Sequence, residues 1–146
     1  MNDAGRPLVA TLNNPQNRCF GCGPANADGL RLEFMQAHDG SVVCVARVEE
    51  TFAGQHGFVH GGIIATLLDE AMAKAARVLG APAMTRHMEV DFLRPVPCGV
   101  ELRIEGCVVR SEGRKHWTEG KVLSEEGSVL AQGKGLFVEV RRSAGR

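Results

Sequence analysis

The sequence predicts an α+β fold in which an antiparallel sheet wraps around one long central helix. Two observations carry that expectation. Over residues 60–79 the apolar residues Ile64, Leu67, Leu68, Ala71, Met72, Ala75 and Leu79 recur at steps of three and four, which lines one helical face. On either side of it lie runs of alternating or continuous apolar residues, the last of them joined by connections too short for a parallel crossover.

Taken in chain order, residues 1–17 are polar and hold two prolines, so they read as a loose leader and not as a signal peptide. An extended N-terminal segment is expected over 1–28, ending in the turn Cys19-Phe20-Gly21-Cys22-Gly23; the packed domain follows over 29–142, with 143–146 as a tail. Leu30, Leu32 and Phe34 alternate with Arg31, Glu33 and Met35, which predicts a first strand; residues 42–48 give a second after the turn His38-Asp39-Gly40. The helix opens at His60 and stops at Gly80, with Pro82 just beyond. At ~1.5 Å per residue it is a rod of roughly 30 Å. Asp69, Glu70, Lys74 and Arg77 interrupt it, so it is not expected to span a membrane. Further strands are expected over 84–93, 100–110, 115–124 and 129–140, with hairpins at 111–114 and 125–128. Internal repeats and low-complexity tracts are absent.

A chain of 146 residues buries about two thirds of its surface, enough for one core. Its formal net charge is zero, which argues against a nucleic-acid partner, since such proteins carry a basic face. With no apolar targeting segment at its start, a cytoplasmic location and no membrane partner are the default expectations. The pair Cys19 and Cys22 has the spacing of half a zinc site. No second pair completes it, because Cys44, Cys98 and Cys107 are scattered, so less than stoichiometric zinc is expected and no metal ligand is assigned. No cofactor motif is present.

Chemistry concentrates at the helix. His60-Gly61-Gly62 brings a histidine and two bare amides to its first turn, where backbone N–H groups lack intrahelical partners and the aligned peptide dipoles leave partial positive charge. Such an end suits an oxygen on which negative charge develops. Glu70 precedes Lys74 by four residues, with Arg77 a further turn along, and reads as a solvated surface residue. Asp69 has Ala65, Thr66, Met72 and Ala73 as helical neighbours, with no basic partner among them, which makes it available as a base or nucleophile, or else as a flank aspartate bonded to a strand. Nine helical residues span about 13 Å, so His60 and Asp69 of one chain cannot meet at one atom. If both act on one substrate, two copies must face each other.

The run Gly57-Phe58-Val59-His60-Gly61-Gly62, Asp69, and the segment Met88-Glu89-Val90-Asp91-Phe92-Leu93-Arg94-Pro95-Val96 followed by Gly99 resemble the hotdog-fold acyl-CoA thioesterases, in the group of the phenylacetate-pathway and 4-hydroxybenzoyl-CoA enzymes. The resemblance extends over residues 29–140 and implies the hotdog fold and an acyl-CoA substrate; the partner expected is a second copy of the chain, with homodimer against dimer of dimers left open. It also implies that Asp69 acts as base or nucleophile, that the Gly61 amide polarises the thioester carbonyl, that His60 shapes the loop, and that Thr85 helps place the water. The family's Asn or Gln six residues before the histidine is Gly54 here, so Gln55 is taken in its stead. Gly62, His56, Arg86 and Arg94 are the candidate substrate contacts, with Lys134 and Arg141 as further cations that could meet coenzyme A phosphates. Two other readings stay open: a hydratase or dehydratase acting on carbons beside a thioester, and a module that binds acyl-CoA without turnover.

Overall fold

The computed structural model describes residues 8–11 and 14–140; Arg141, the expected tail and the first seven residues of the expected leader lie outside the described residues. The elements are β1 (Leu8–Thr11), β2 (Met35–Ala37), β3 (Val42–Arg47), a 3-10 turn (Glu50–Phe52), α1 (Gly61–Arg77), β4 (Ala83–Phe92), β5 (Glu101–Glu112), β6 (Lys115–Ser124) and β7 (Val129–Glu139). The seven strands form one sheet in the order β1-β2-β3-β5-β6-β7-β4, and every neighbouring pair is antiparallel. Helix α1 lies across one face of it. The apolar stripe read from the sequence is the buried one: Ile64, Leu67, Leu68, Ala71, Met72, Ala75 and Ala76 are its covered residues.

Glycines let the helix come close. Strand register aligns Gly106 with Gly120 and Gly120 with Gly133, with Val42 and Val90 at the two ends of this row. A Cβ at Gly106 would overlap the Ala71 carbonyl oxygen, one at Gly120 would stand 3.3 Å from Met72 Cγ, and one at Gly133 would stand 3.4 Å from Met72 Cε. Flanking the row, Leu102, Ile104, Val122, Ala131 and Phe137 point to the same side and are fully covered. The core is therefore a single layer between helix and sheet.

Three expectations need correction. Residues 30–34 alternate in burial, with Leu32 and Phe34 covered, yet they form no strand: Leu30 and Leu32 donate their N–H groups to the carbonyls of Phe20 and Gly21, and Arg31 takes a positive φ of 52°. Their backbone bonds go to the cysteine turn, not to a sheet neighbour. Second, residues 1–17 are not merely a loose leader, because residues 8–11 form the edge strand β1, paired with β2. Third, the helix starts one residue late and ends at Arg77, whose guanidinium donates to the Gly80 carbonyl; Gly80 itself takes φ 127°. Both expected hairpins are present, between β5 and β6 and between β6 and β7.

Among the cysteines, Cys44 is deeply buried on β3, and desolvation pushes its thiol up to about 12, which keeps it protonated as a packing residue. His116 on β6 is 4% exposed and ties together three strand ends, with Nδ1 2.7 Å from Ser111 Oγ and Nε2 3.0 Å from Glu139 Oε1. Trp117 lies on the outer sheet face, with the Arg110 guanidinium stacked 3.8 Å over its ring.

Candidate active site

The loop ahead of α1 folds back on itself before the helix begins. Gly54 N donates to Phe58 O, Phe58 N donates to Gln55 O, and Ala53 bridges Val59, so Gln55, His56 and Gly57 form the tip of a tight turn. His56 (φ 41°) and Gly57 (φ 78°) both take left-handed backbone there. His60 then caps the helix: its Nδ1 accepts the Gly62 N–H at 2.9 Å, and its carbonyl accepts the N–H groups of Ile63 and Ile64. An accepting Nδ1 leaves Nε2 as the protonated nitrogen. With these groups satisfied, the Gly61 N–H has no acceptor among the described residues, and Gly61 is exposed. Of the two amides expected at the positive end of the helix dipole, the Gly61 N–H is the free one and the Gly62 N–H is taken by the cap.

Asp69 sits two and a half turns further along, half-buried, and its Oδ1 accepts the Thr85 hydroxyl at 2.6 Å. The partner missing from its own helix is supplied by β4. A β-bulge makes this contact possible: the ladder between β4 and β7 pairs Thr85 with Phe137 and His87 with Leu136, which leaves Arg86 as the extra residue. Without it, Thr85 would face away from the side that Met88 occupies, since the two are three residues apart. With it, Thr85 shares the helix-facing side with Phe137. With its proton donated to the carboxylate, the hydroxyl oxygen is free to accept from water beside Asp69.

The remaining candidates spread around these two points. Gln55 and His56 are exposed at the loop tip. Gly54 faces the histidine directly, since a Cβ there would stand 3.2 Å from His60 Cα. Gly62 carries the cap, and Arg86, the bulge residue, is exposed. Arg94 lines a groove of about 530 Å³ with Phe58, Pro95, Pro97 and Leu130, beside the loop that leads into the helix. Lys134 lies on the outer sheet face with Glu119 and Glu89 in neighbouring register. The structure also gives a place at the site to Phe92, which the sequence reading quoted without a role: a Cβ at Gly61 would meet its ring edge at 3.8 Å, so the end of β4 borders the free amide. Glu70, read as a solvated residue, instead accepts from Cys19 Sγ at 3.2 Å.

The helix-end donor and the hydroxyl-bonded carboxylate both lie on α1. A family model described as the thioesterase superfamily matches residues 56–131, just over half of the 146 residues and the part that holds both points. The chain belongs to the thioesterase superfamily. Among curated relatives of this thioesterase-superfamily chain is the acyl-coenzyme A thioesterase THEM4 of Xenopus laevis, 29% identical over 136 residues, which cover 90% of the chain and 61% of the relative. The chain thus spans less than two thirds of that relative's length. Among solved structures, the thioesterase superfamily protein RHA08564 superposes with a TM-score of 0.79 at 28% identity, covering 94% of the chain and 71% of its own. The BH2602 protein of Bacillus halodurans, solved with CoA, superposes with a TM-score of 0.69 at 28% identity, covering 78% of the chain and 77% of its own. The fold is accordingly the hotdog arrangement expected from the sequence. No helix among the described residues is long and apolar enough to cross a membrane.

Proposed function

We propose that this chain hydrolyses an acyl-CoA thioester to a free acid and CoA, in sites shared between two copies. The observation that carries the reading is the Asp69–Thr85 pair at 2.6 Å, a carboxylate held at an accessible surface by a hydroxyl that can still position water. The Gly61 N–H holds the carbonyl oxygen and stabilises the charge that develops on it. Asp69 activates water or attacks the carbonyl itself, and Thr85 orients the water. His60 keeps the amide in place through its bond to Gly62. Gln55, His56, Arg86 and Arg94 are assigned to substrate contact, the arginines as partners for coenzyme A phosphates.

The second copy follows from where these groups lie along β4. That strand pairs with β7 on one side and is the edge of the sheet on the other, with its ladder groups there open to pairing. Met84, Phe92 and Leu93 expose large apolar surface on or just after it, at 65%, 56% and 51%. Thr85, beside Asp69, and Phe92, beside Gly61, are six ladder steps apart on this strand once the bulge is discounted, roughly 20 Å at 3.3 Å per step. Antiparallel pairing of two β4 strands about Glu89, with Arg86 the extra residue in each, brings Thr85 of each copy opposite the partner's Phe92. Each Asp69 then faces the partner's helix start, in a closed two-fold dimer. A dimer of dimers and a cytoplasmic location are compatible with this reading.

The test is release of free thiol from a panel of aromatic and aliphatic acyl-CoAs, alongside absorbance for double-bond formation. Thiol release that falls at least ~10²-fold in Asp69→Asn supports hydrolysis. Double-bond chemistry without thiol release would assign a hydratase, and saturable binding with neither would assign a binding module.

A further inference from the structure

The cysteine turn carries donor chemistry that thioester hydrolysis does not use. Cys19 Sγ, Cys22 Sγ and a Glu70 carboxylate oxygen all lie within 4.8 Å of one another, with Cys19 Sγ and Glu70 Oε1 at 3.2 Å. Around a tetrahedral ion with bonds of about 2.0–2.3 Å, neighbouring ligand atoms stand roughly 3.3–3.8 Å apart. Only small shifts separate the three groups from that geometry. The second cysteine pair that sequence spacing lacked is answered in part by a carboxylate from α1.

Local structure builds the cradle. Gly23 N donates to Cys19 O at 2.8 Å, which winds the turn so that both sulfurs face α1. Asn17 braces it twice, as Oδ1 accepts from Cys19 N at 2.9 Å and Nδ2 donates to Cys22 Sγ at 3.3 Å. Donors to sulfur are the outer contacts that orient a thiolate ligand. A Cβ at Gly21 would overlap the Glu70 carboxylate, and one at Gly23 would overlap the backbone of Cys19, so both glycines keep room for the arrangement. Cys22 is buried while Cys19 is exposed, which leaves a path of entry from solvent.

We propose that Cys19, Cys22 and Glu70 bind a thiophilic divalent cation of the zinc class, with a fourth position open to water. Binding releases the two thiol protons to solvent and leaves both sulfurs as thiolates. Two thiolates and a carboxylate carry one negative charge more than the cation cancels, and Lys74, whose positive charge acts on the Cys22 thiol, supplies the balance. The ion would pin the N-terminal turn to α1 at the residue next to Asp69.

Cobalt(II) titrated into the chelator-stripped full chain tests this without any assay of hydrolysis. One cobalt per chain is expected, with sulfur-to-cobalt charge-transfer absorption, intense tetrahedral bands, and displacement by zinc. Cys19→Ser should lower the charge-transfer intensity, and Glu70→Gln should weaken binding at least ~10-fold while keeping the sulfur absorption. These two positions are chosen because Cys22 is buried; circular dichroism of each variant checks that it folds. Absence of stoichiometric cobalt in the unaltered chain, or equal affinity in Glu70→Gln, would overturn the proposal.

Discussion

Gly61 offers one backbone N–H to the candidate site, and its place in the helix makes that group separable from the fold. Proline is tolerated at the first helical residue because the lost N–H has no intrahelical partner. Here the preceding His60 has φ −58° and ψ 139°, the extended backbone that proline requires of its neighbour. Gly61→Pro should therefore keep the helix, seen by circular dichroism, and lose ~10²–10³-fold in kcat for thiol release, the range for removing one oxyanion donor. Loss of the helix signal, or full activity, would each count against the amide's role. His60, Gly61 and Asp69 were legible as candidates because a helix end and a helix face can be read from spacing. The inward turn of Thr85 was not, since it depends on the bulge at Arg86, which shifts the period-two pattern by one. Glu70 was misjudged for a related reason: its partner Cys19 is 51 residues away, and local charge pairing with Lys74 gave the only signal available.

Among the elements, helix α1 was the most legible, because seventeen residues with a one-sided apolar stripe have few alternatives. The long strands β4 to β7 followed from alternation and short connections. Residues 30–34 misled because alternation reports burial, and here burial is met by a segment bonded to the cysteine turn. Less visible still was the glycine row under the helix, since each glycine alone resembles a weak spot in a strand. Its function is distance. Gly106→Ala would force the Ala71 carbonyl and its helix away from the sheet, so a loss of about 1–3 kcal/mol is expected from overpacking. Denaturant unfolding measures it as a lower midpoint with an unchanged slope. A midpoint equal to that of the unaltered chain would show that the helix does not rest on this row.

In the whole molecule, the proposed hydrolysis requires two chains that complete each other's sites. Within one copy the free amide borders Phe92 at one end of β4, and Asp69 contacts Thr85 at the other end. Sequence spacing alone gave the reason for a dimer, while the open edge of β4 and its exposed Met84, Phe92 and Leu93 indicate how the copies would meet. A charge introduced by Met84→Lys, set against the partner's Leu93 in the proposed pairing, should shift the chain toward monomer in sedimentation and lower activity with it. The most direct measurement is complementation. Asp69→Asn and Gly61→Pro, each nearly inactive alone, are co-expressed and assayed for thiol release. Shared sites predict that mixed dimers regain one intact site, restoring about a quarter of the unaltered rate when subunits combine at random. A mixture no more active than its separate components would contradict the shared site.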